Sequence, residues 1–86
     1  MYQVVLTRQA LKDRRRIAQA GLENRAKALL SVLAQDPFRS PPPFEKLVGD
    51  LSGFYSRRIN LQHRLVYAVD QEAHIVKVLR LGTHYE

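Results

Sequence analysis

The sequence predicts an α+β domain in the order β-α-α-β-β-β, with two N-terminal helices packed on one face of an antiparallel sheet and the other face open. Three observations predict it. Residues 8–35 carry apolar side chains at helical spacing, interrupted once at Gly21. Residues 54–69 read as two neighbouring strands rich in aromatic and β-branched residues, joined through Leu61-Gln62. The segment 74–82, with IVKVLRL at its centre, is too apolar on both faces to alternate and reads as a central or well-covered strand.

The elements follow in order. MYQVVL at positions 1–6 is a short β-type run, and Thr7 after it is a suitable helix N-cap. From Arg8 a helix is expected with Ala10, Leu11, Arg14, Ile17 and Ala18 near one stripe, ended or bent at Gly21. A second helix, from about Leu22 to Gln35, places Leu22, Ala26, Leu29, Leu30 and Leu33 on its apolar side. Asp36-Pro37 stops it, and Ser40-Pro41-Pro42-Pro43 is an extended surface connector that carries Phe44-Glu45-Lys46-Leu47 to the rim of the sheet. Hairpin strands are expected over Phe54 to Asn60 and His63 to Val69. In the second, Leu65, Tyr67 and Val69 share a core face, and Arg64, Val66 and Ala68 share the accessible one.

The totals narrow the function. A chain of 86 residues is expected to be one domain, 1–86, with a single core layer. The absence of cysteine excludes disulfides, zinc ribbons and thiol nucleophiles, and three scattered histidines without spaced carboxylates argue against a metal. No cofactor is expected. A net charge of +6 and a pI near 10.2 point to a polyanion or an acidic partner. No cationic leader with an apolar stretch precedes the first strand and no apolar run reaches the ~18 residues of a membrane span. A cytoplasmic protein is expected.

The charge has two concentrations. Lys12, Arg14, Arg15 and Arg16 fall within little more than one helical turn, a set that fits either a phosphate backbone or a solvated helix face. Arg57, Arg58 and Arg64 lie inside strands, where they are either solvated edge charges or anion ligands on a rigid sheet. Metal-free RNA cleavage needs a base for the 2′-hydroxyl proton, an acid for the leaving 5′-oxygen, and cations around the phosphate. Glu45, Arg58, Arg64, His84 and Tyr85 are a set of the right types.

The run LSGFYSRRIN from Leu51, followed by HRLVYAV from His63, preceded by Phe44-Glu-Lys-Leu47 and closed by His84-Tyr85, closely resembles the Txe/YoeB family of bacterial toxins within the larger RelE-like group. The resemblance is strong from about Glu45 to Tyr85 and covers the helical half by layout. It implies a microbial-ribonuclease-like fold and the toxin half of a toxin–antitoxin pair, a ribosome-dependent endoribonuclease that cleaves messenger RNA in the A site and stops translation. On that reading Glu45 is the general base, Arg64 stabilises the pentacovalent phosphate, His84 is the general acid, and Tyr85 orients or stacks on the substrate. Arg58, with Arg57 and Lys46, would hold the phosphate and substrate, and the helix cations would contact ribosomal or messenger RNA backbone. The family commonly carries a lysine a few residues after the glutamate, where Val48 stands here, and Glu86 follows the His-Tyr pair.

The resemblance also implies partners: an acidic antitoxin of the Phd/YefM type, the ribosome and its messenger RNA, and operator DNA only through the antitoxin complex, with a homodimer as a further expectation. Two alternatives share the basic charge. A ParE-type gyrase poison keeps the architecture and lacks this catalytic set, and a small RNA-binding module keeps the charge without chemistry.

Overall fold

In the computed structural model, which describes residues 1–82 and only the backbone of Leu51, five strands and two helices form two layers. The elements are β1 (Gln3–Leu6), α1 (Arg8–Gln19), α2 (Glu23–Gln35), β2 (Glu45–Lys46), a 3₁₀ turn at Gly49–Leu51, β3 (Tyr55–Arg58), β4 (Arg64–Asp70) and β5 (Ile75–Gly82). The sheet order is β1-β5-β4-β3-β2. β2, β3, β4 and β5 are antiparallel neighbours, whereas β1 lies parallel to β5, so the sheet is mixed where the sequence suggested purely antiparallel strands. The long connection that a parallel pair requires runs through both helices and then through β2, β3 and β4. β5 lies between β1 and β4, in keeping with its apolar composition.

Local chemistry sets the helix ends. Thr7 is the N-cap of α1: its Oγ1 accepts from the Ala10 amide at 3.1 Å and donates to the Leu79 carbonyl at 2.9 Å, tying the start of the helix to β5. After Ala20 the chain turns through Gly21 at φ 75°, a left-handed conformation that costs glycine little. The Leu22 amide then donates to the Ile17 carbonyl and the Gly21 amide to that of Ala18, the paired bonds of a Schellman end. Ile17 and Leu22 are both in the core, so the same turn that stops α1 also seats the first apolar residue of α2.

Leu65, Tyr67, Val76, Val78 and Leu81 face the helices and pack with Ala10, Ile17, Ala26, Leu29 and Leu33. The second helix buries the expected stripe. The first does not: Leu11 is exposed, and the buried positions are Ala10, Asp13 and Ile17. Asp13, a carboxylate only 2% exposed, serves an irregularity in the sheet. The register between β4 and β5 shifts between Val66 and Tyr67, whose partners are Arg80 and Val78, so Leu79 has no partner residue. Past that bulge the Leu81 amide donates to Asp13 Oδ2 at 2.9 Å, and Arg80 Nε donates to the same oxygen at 2.9 Å. Gln9 Nε2 donates to Oδ1 at 3.1 Å.

Burial alone pushes the Asp13 carboxyl upward, but hydrogen bonds from Arg80, Leu81 and Gln9, together with the Arg80 charge, outweigh it and hold the group below the ordinary carboxylate range. A carboxyl depressed in the folded state contributes stability above its unfolded value and loses it as pH falls through the folded one. The thermal midpoint is therefore expected to drop below about pH 4, the ordinary Asp value, and Asp13→Asn to flatten that acid limb. An unchanged acid limb in Asp13→Asn, measured by thermal melts from pH 7 to pH 2, would refute this role.

Candidate active site

Residues opposite one another in an antiparallel pair share a face, and successive residues along a strand alternate. Glu45 lies opposite Ser56, Ser56 opposite Val66, and Arg58 opposite Arg64. All therefore share the helix-free face. The ladder thus places three groups far apart in the sequence on one small area: the Glu45 carboxylate, the Arg64 guanidinium and the Arg58 side chain.

Arg64 Nη1 stands 3.5 Å from Glu45 Oε2 and donates to Ser56 Oγ at 3.3 Å. Ser56 is fully buried, so its hydroxyl is a fixed acceptor for the Arg64 guanidinium, and the Glu45 carboxylate beside that guanidinium is more exposed. An ion pair with Glu45 this open adds little to stability. Arg58, exposed and directly opposite Arg64, places like charges side by side across the strands, an arrangement unfavourable by itself and relieved by an anion. Among the described residues no cluster of His, Cys, Asp or Glu could hold a metal ion.

Arg57 departs from expectation. It faces the helix side, opposite Leu65, and is 1% exposed, which removes it from any phosphate on the open face. Its guanidinium binds the loop instead. Nη2 donates to the carbonyls of Pro37 at 2.9 Å and Arg39 at 2.8 Å, Nη1 to the carbonyl of Pro42, and Nε to the Tyr67 hydroxyl at 3.2 Å. The Tyr67 hydroxyl in turn donates to Pro37 at 2.9 Å. Phe44 lies with its ring centre 4.9 Å from the Arg57 charge, and Phe38, Phe44, Tyr55 and Tyr67 stack edge and face around it. Burial raises the Tyr67 hydroxyl above its ordinary value, partly offset by the Arg57 charge. Arg57 is thus a positioning residue: it fixes the segment 37–44 that delivers Glu45 to the sheet edge.

The other expected site residues divide. Lys46 is exposed but lies opposite Tyr55, on the face away from Glu45. Val48 is an apolar side chain 84% exposed at that rim. Lys12, Arg14, Arg15 and Arg16 are exposed on α1, in the helix layer, and are not brought to the Glu45–Arg64 pair. His84 and Tyr85 lie outside the described residues; β5, which leads to them, ends with Gly82 opposite Arg64.

Sequence reasoning overlooked Ser56, Asp13 and the structural use of Arg57. Alternation held the signal for two of them: of adjacent strand arginines only one can face an open surface, and Ser56 shares its face with Arg58. Asp13 sits three residues after Ala10 and four before Ile17, on the stripe itself.

Comparison with known proteins bears on the family and the fold. Residues 7–85 match the family model described as the YoeB-like toxin of bacterial type II toxin–antitoxin systems. Toxin YoeB of Streptomyces coelicolor is 51% identical over 43 residues, covering 50% of this chain and 51% of that protein. The chain spans about half the length of the first curated relatives it matches. Among solved structures, the YoeB/ParE toxin from Agrobacterium tumefaciens superposes with TM-score 0.85 at 28% identity, over 96% of this chain and 99% of that one. The YoeB of the Staphylococcus aureus YoeB–YefM toxin–antitoxin complex superposes with TM-score 0.80 at 31% identity, over 99% of each chain, and the S. aureus toxin is also known as a dimer.

Proposed function

Because the chain belongs to the YoeB-like toxins of bacterial type II toxin–antitoxin systems, we propose that it is a ribosome-dependent endoribonuclease that cuts messenger RNA in the A site without a metal. The observation that carries this reading is the Glu45 carboxylate 3.5 Å from the Arg64 guanidinium, with Arg58 directly opposite, on the face that no helix covers.

The chemistry follows from those groups. Glu45 takes the proton of a ribose 2′-hydroxyl, whose oxygen attacks the adjoining phosphorus. Arg64 leaves its partner carboxylate for two oxygens of the pentacovalent phosphate, Arg58 neutralises the remaining charge, and the 5′-oxygen departs with a proton from His84. The products are a 2′,3′-cyclic phosphate and a free 5′-hydroxyl. A carboxylate is a weak base at neutral pH, so the step depends on alignment of the hydroxyl, and a ribosome that holds the codon supplies it. Tyr85 orients the substrate base, and the α1 cations and Lys46 contribute backbone attraction.

The proposed silencing partner is an acidic Phd/YefM-type antitoxin segment, with operator DNA bound through that complex. The same sheet face offers it a groove of about 420 Å³ among Phe54, Ala68, Ile75 and Leu79, with Lys77 as the cation for its carboxylates. Cytoplasmic location and a homodimer belong to the same proposal. The test is cleavage on translating ribosomes. Wild-type protein is expected to cut, Glu45→Gln and His84→Ala each to slow cutting by about 10²-fold or more, and co-expression of the adjacent small gene to restore growth. Variants that cut as fast as wild type would end the nuclease reading.

A further inference from the structure

Ser56 lies on the helix-free face, yet it is 1% exposed, so its hydroxyl sits at the floor of the site rather than at its rim. A hydroxyl that deep takes its partner from the protein, because water does not reach it. Among the described residues it has one: Arg64 Nη1 donates to it at 3.3 Å. Val66, its neighbour across β4, offers no polar side-chain atom. Removing the Arg64 donor would leave a buried oxygen unpaired, and that penalty holds the two groups together.

The same nitrogen stands 3.5 Å from Glu45 Oε2, and the two ties differ in kind. The Glu45 side chain is largely exposed, so its ion pair with Arg64 competes with water and gives way to a better anion. The bond to Ser56 has no such competitor. Cleavage asks for both behaviours at once. Glu45 has to be released toward a 2′-hydroxyl, while the guanidinium has to stay where the phosphate gathers its extra charge.

We propose that Ser56 is a positioning residue that retains Arg64 at the sheet surface when Glu45 lets go of it, so that the guanidinium turns about a held Nη1 instead of following the carboxylate; the proposal rests on the RNA-cleavage reading above. The ladder puts the serine in the right place. It lies directly opposite Glu45 on β2 and opposite Val66 on β4, and Arg64 is two residues along β4 on the same face. The hydroxyl therefore stands between the strand that carries the base and the strand that carries the phosphate ligand. A guanidinium held at one nitrogen keeps its plane, and the preorganised plane is what a developing phosphate charge can use without reorganisation.

The experiment compares wild type with Ser56→Ala and Ser56→Thr in two measurements. Nuclear magnetic resonance of isotope-labelled protein follows rotation of the Arg64 guanidinium about its Nε–Cζ bond. Separate Nη1 and Nη2 signals are expected in wild type and in Ser56→Thr, which keeps the hydroxyl, and merged signals in Ser56→Ala. On ribosomes Ser56→Ala is expected to lower kcat about tenfold, the loss of one hydrogen bond to a charged group, with KM within about twofold of wild type. Ser56→Thr should recover the rate. In an Arg64→Ala background Ser56→Ala should cost nothing more, because the hydroxyl acts only through Arg64. Arg64 signals that stay separate in Ser56→Ala would show the guanidinium to be held elsewhere and would overturn the proposal. So would wild-type cleavage by Ser56→Ala, or an equal loss in the Arg64→Ala background, the mark of a general structural role. A guanidinium that loosens in Ser56→Ala in a protein that never cuts RNA would count against the nuclease alone.

Discussion

Arg64→Lys is expected to lower ribosome-dependent cleavage by about 10²–10³-fold, the usual cost of removing one preorganised donor from a developing charge, while changing folding stability by less than about 0.5 kcal/mol. Lysine keeps the positive charge and so tests the geometry. The guanidinium makes its Ser56 bond at 3.3 Å and its Glu45 approach at 3.5 Å through Nη1, and a planar fork can then offer two parallel donors to a phosphate. An ammonium offers a point. Single-turnover cleavage of ribosome-bound message, with a thermal melt as control, separates the two. Cleavage by Arg64→Lys within about threefold of wild type, far short of the loss of a preorganised donor, would show that only charge matters there.

Arg57→Met is expected to act oppositely, on the fold first. The substitution keeps much of the apolar stem and removes donors to three loop carbonyls and to Tyr67, leaving buried acceptors unpaired. A loss of about 3 kcal/mol is anticipated, which lowers the midpoint of a domain this small by roughly 15 °C. Cleavage measured well below that midpoint should fall as well, because the loop that Arg57 fixes runs directly into Glu45. A midpoint within about 3 °C of wild type, on the scale of a surface substitution, would remove Arg57 from this role.

The layer arrangement was legible in the sequence because apolar spacing is local: the α2 stripe, Gly21 and the hairpin strands all report on their immediate neighbours. What could not be read depended on pairings between distant segments. The parallel joining of β1 to β5 links residues about seventy positions apart, and no local pattern states direction. The turn between β3 and β4 is longer than the two residues first apparent, because the Asn60 side chain folds back on the amides of Gln62 and His63 and ends both strands early. Asp13 was overlooked because the amide it accepts, that of Leu81 past the bulge at Leu79, comes from a residue 68 positions away. At the site, Glu45, Arg58 and Arg64 were identified by type and resemblance, and the ladder supplies their common face. Arg57 was misassigned because composition counts arginines without regard to which side of a strand they leave.

The position of β5 bears on how the protein comes to exist. Among the described strands it is synthesised last, yet it separates β1 from the hairpin and supplies the floor on which α1 rests. Until residues 75–82 have left the exit tunnel, β1 has no neighbour to pair with and the Asp13 carboxylate has neither of its β5 donors. Assembly therefore waits on a contact between opposite ends of the sheet's sequence, a slow kind of closure. A nascent copy whose β5 is still inside the tunnel cannot yet have joined Arg64 to Gly82, so the strand that carries Arg64 gains its second neighbour only after β5 has emerged.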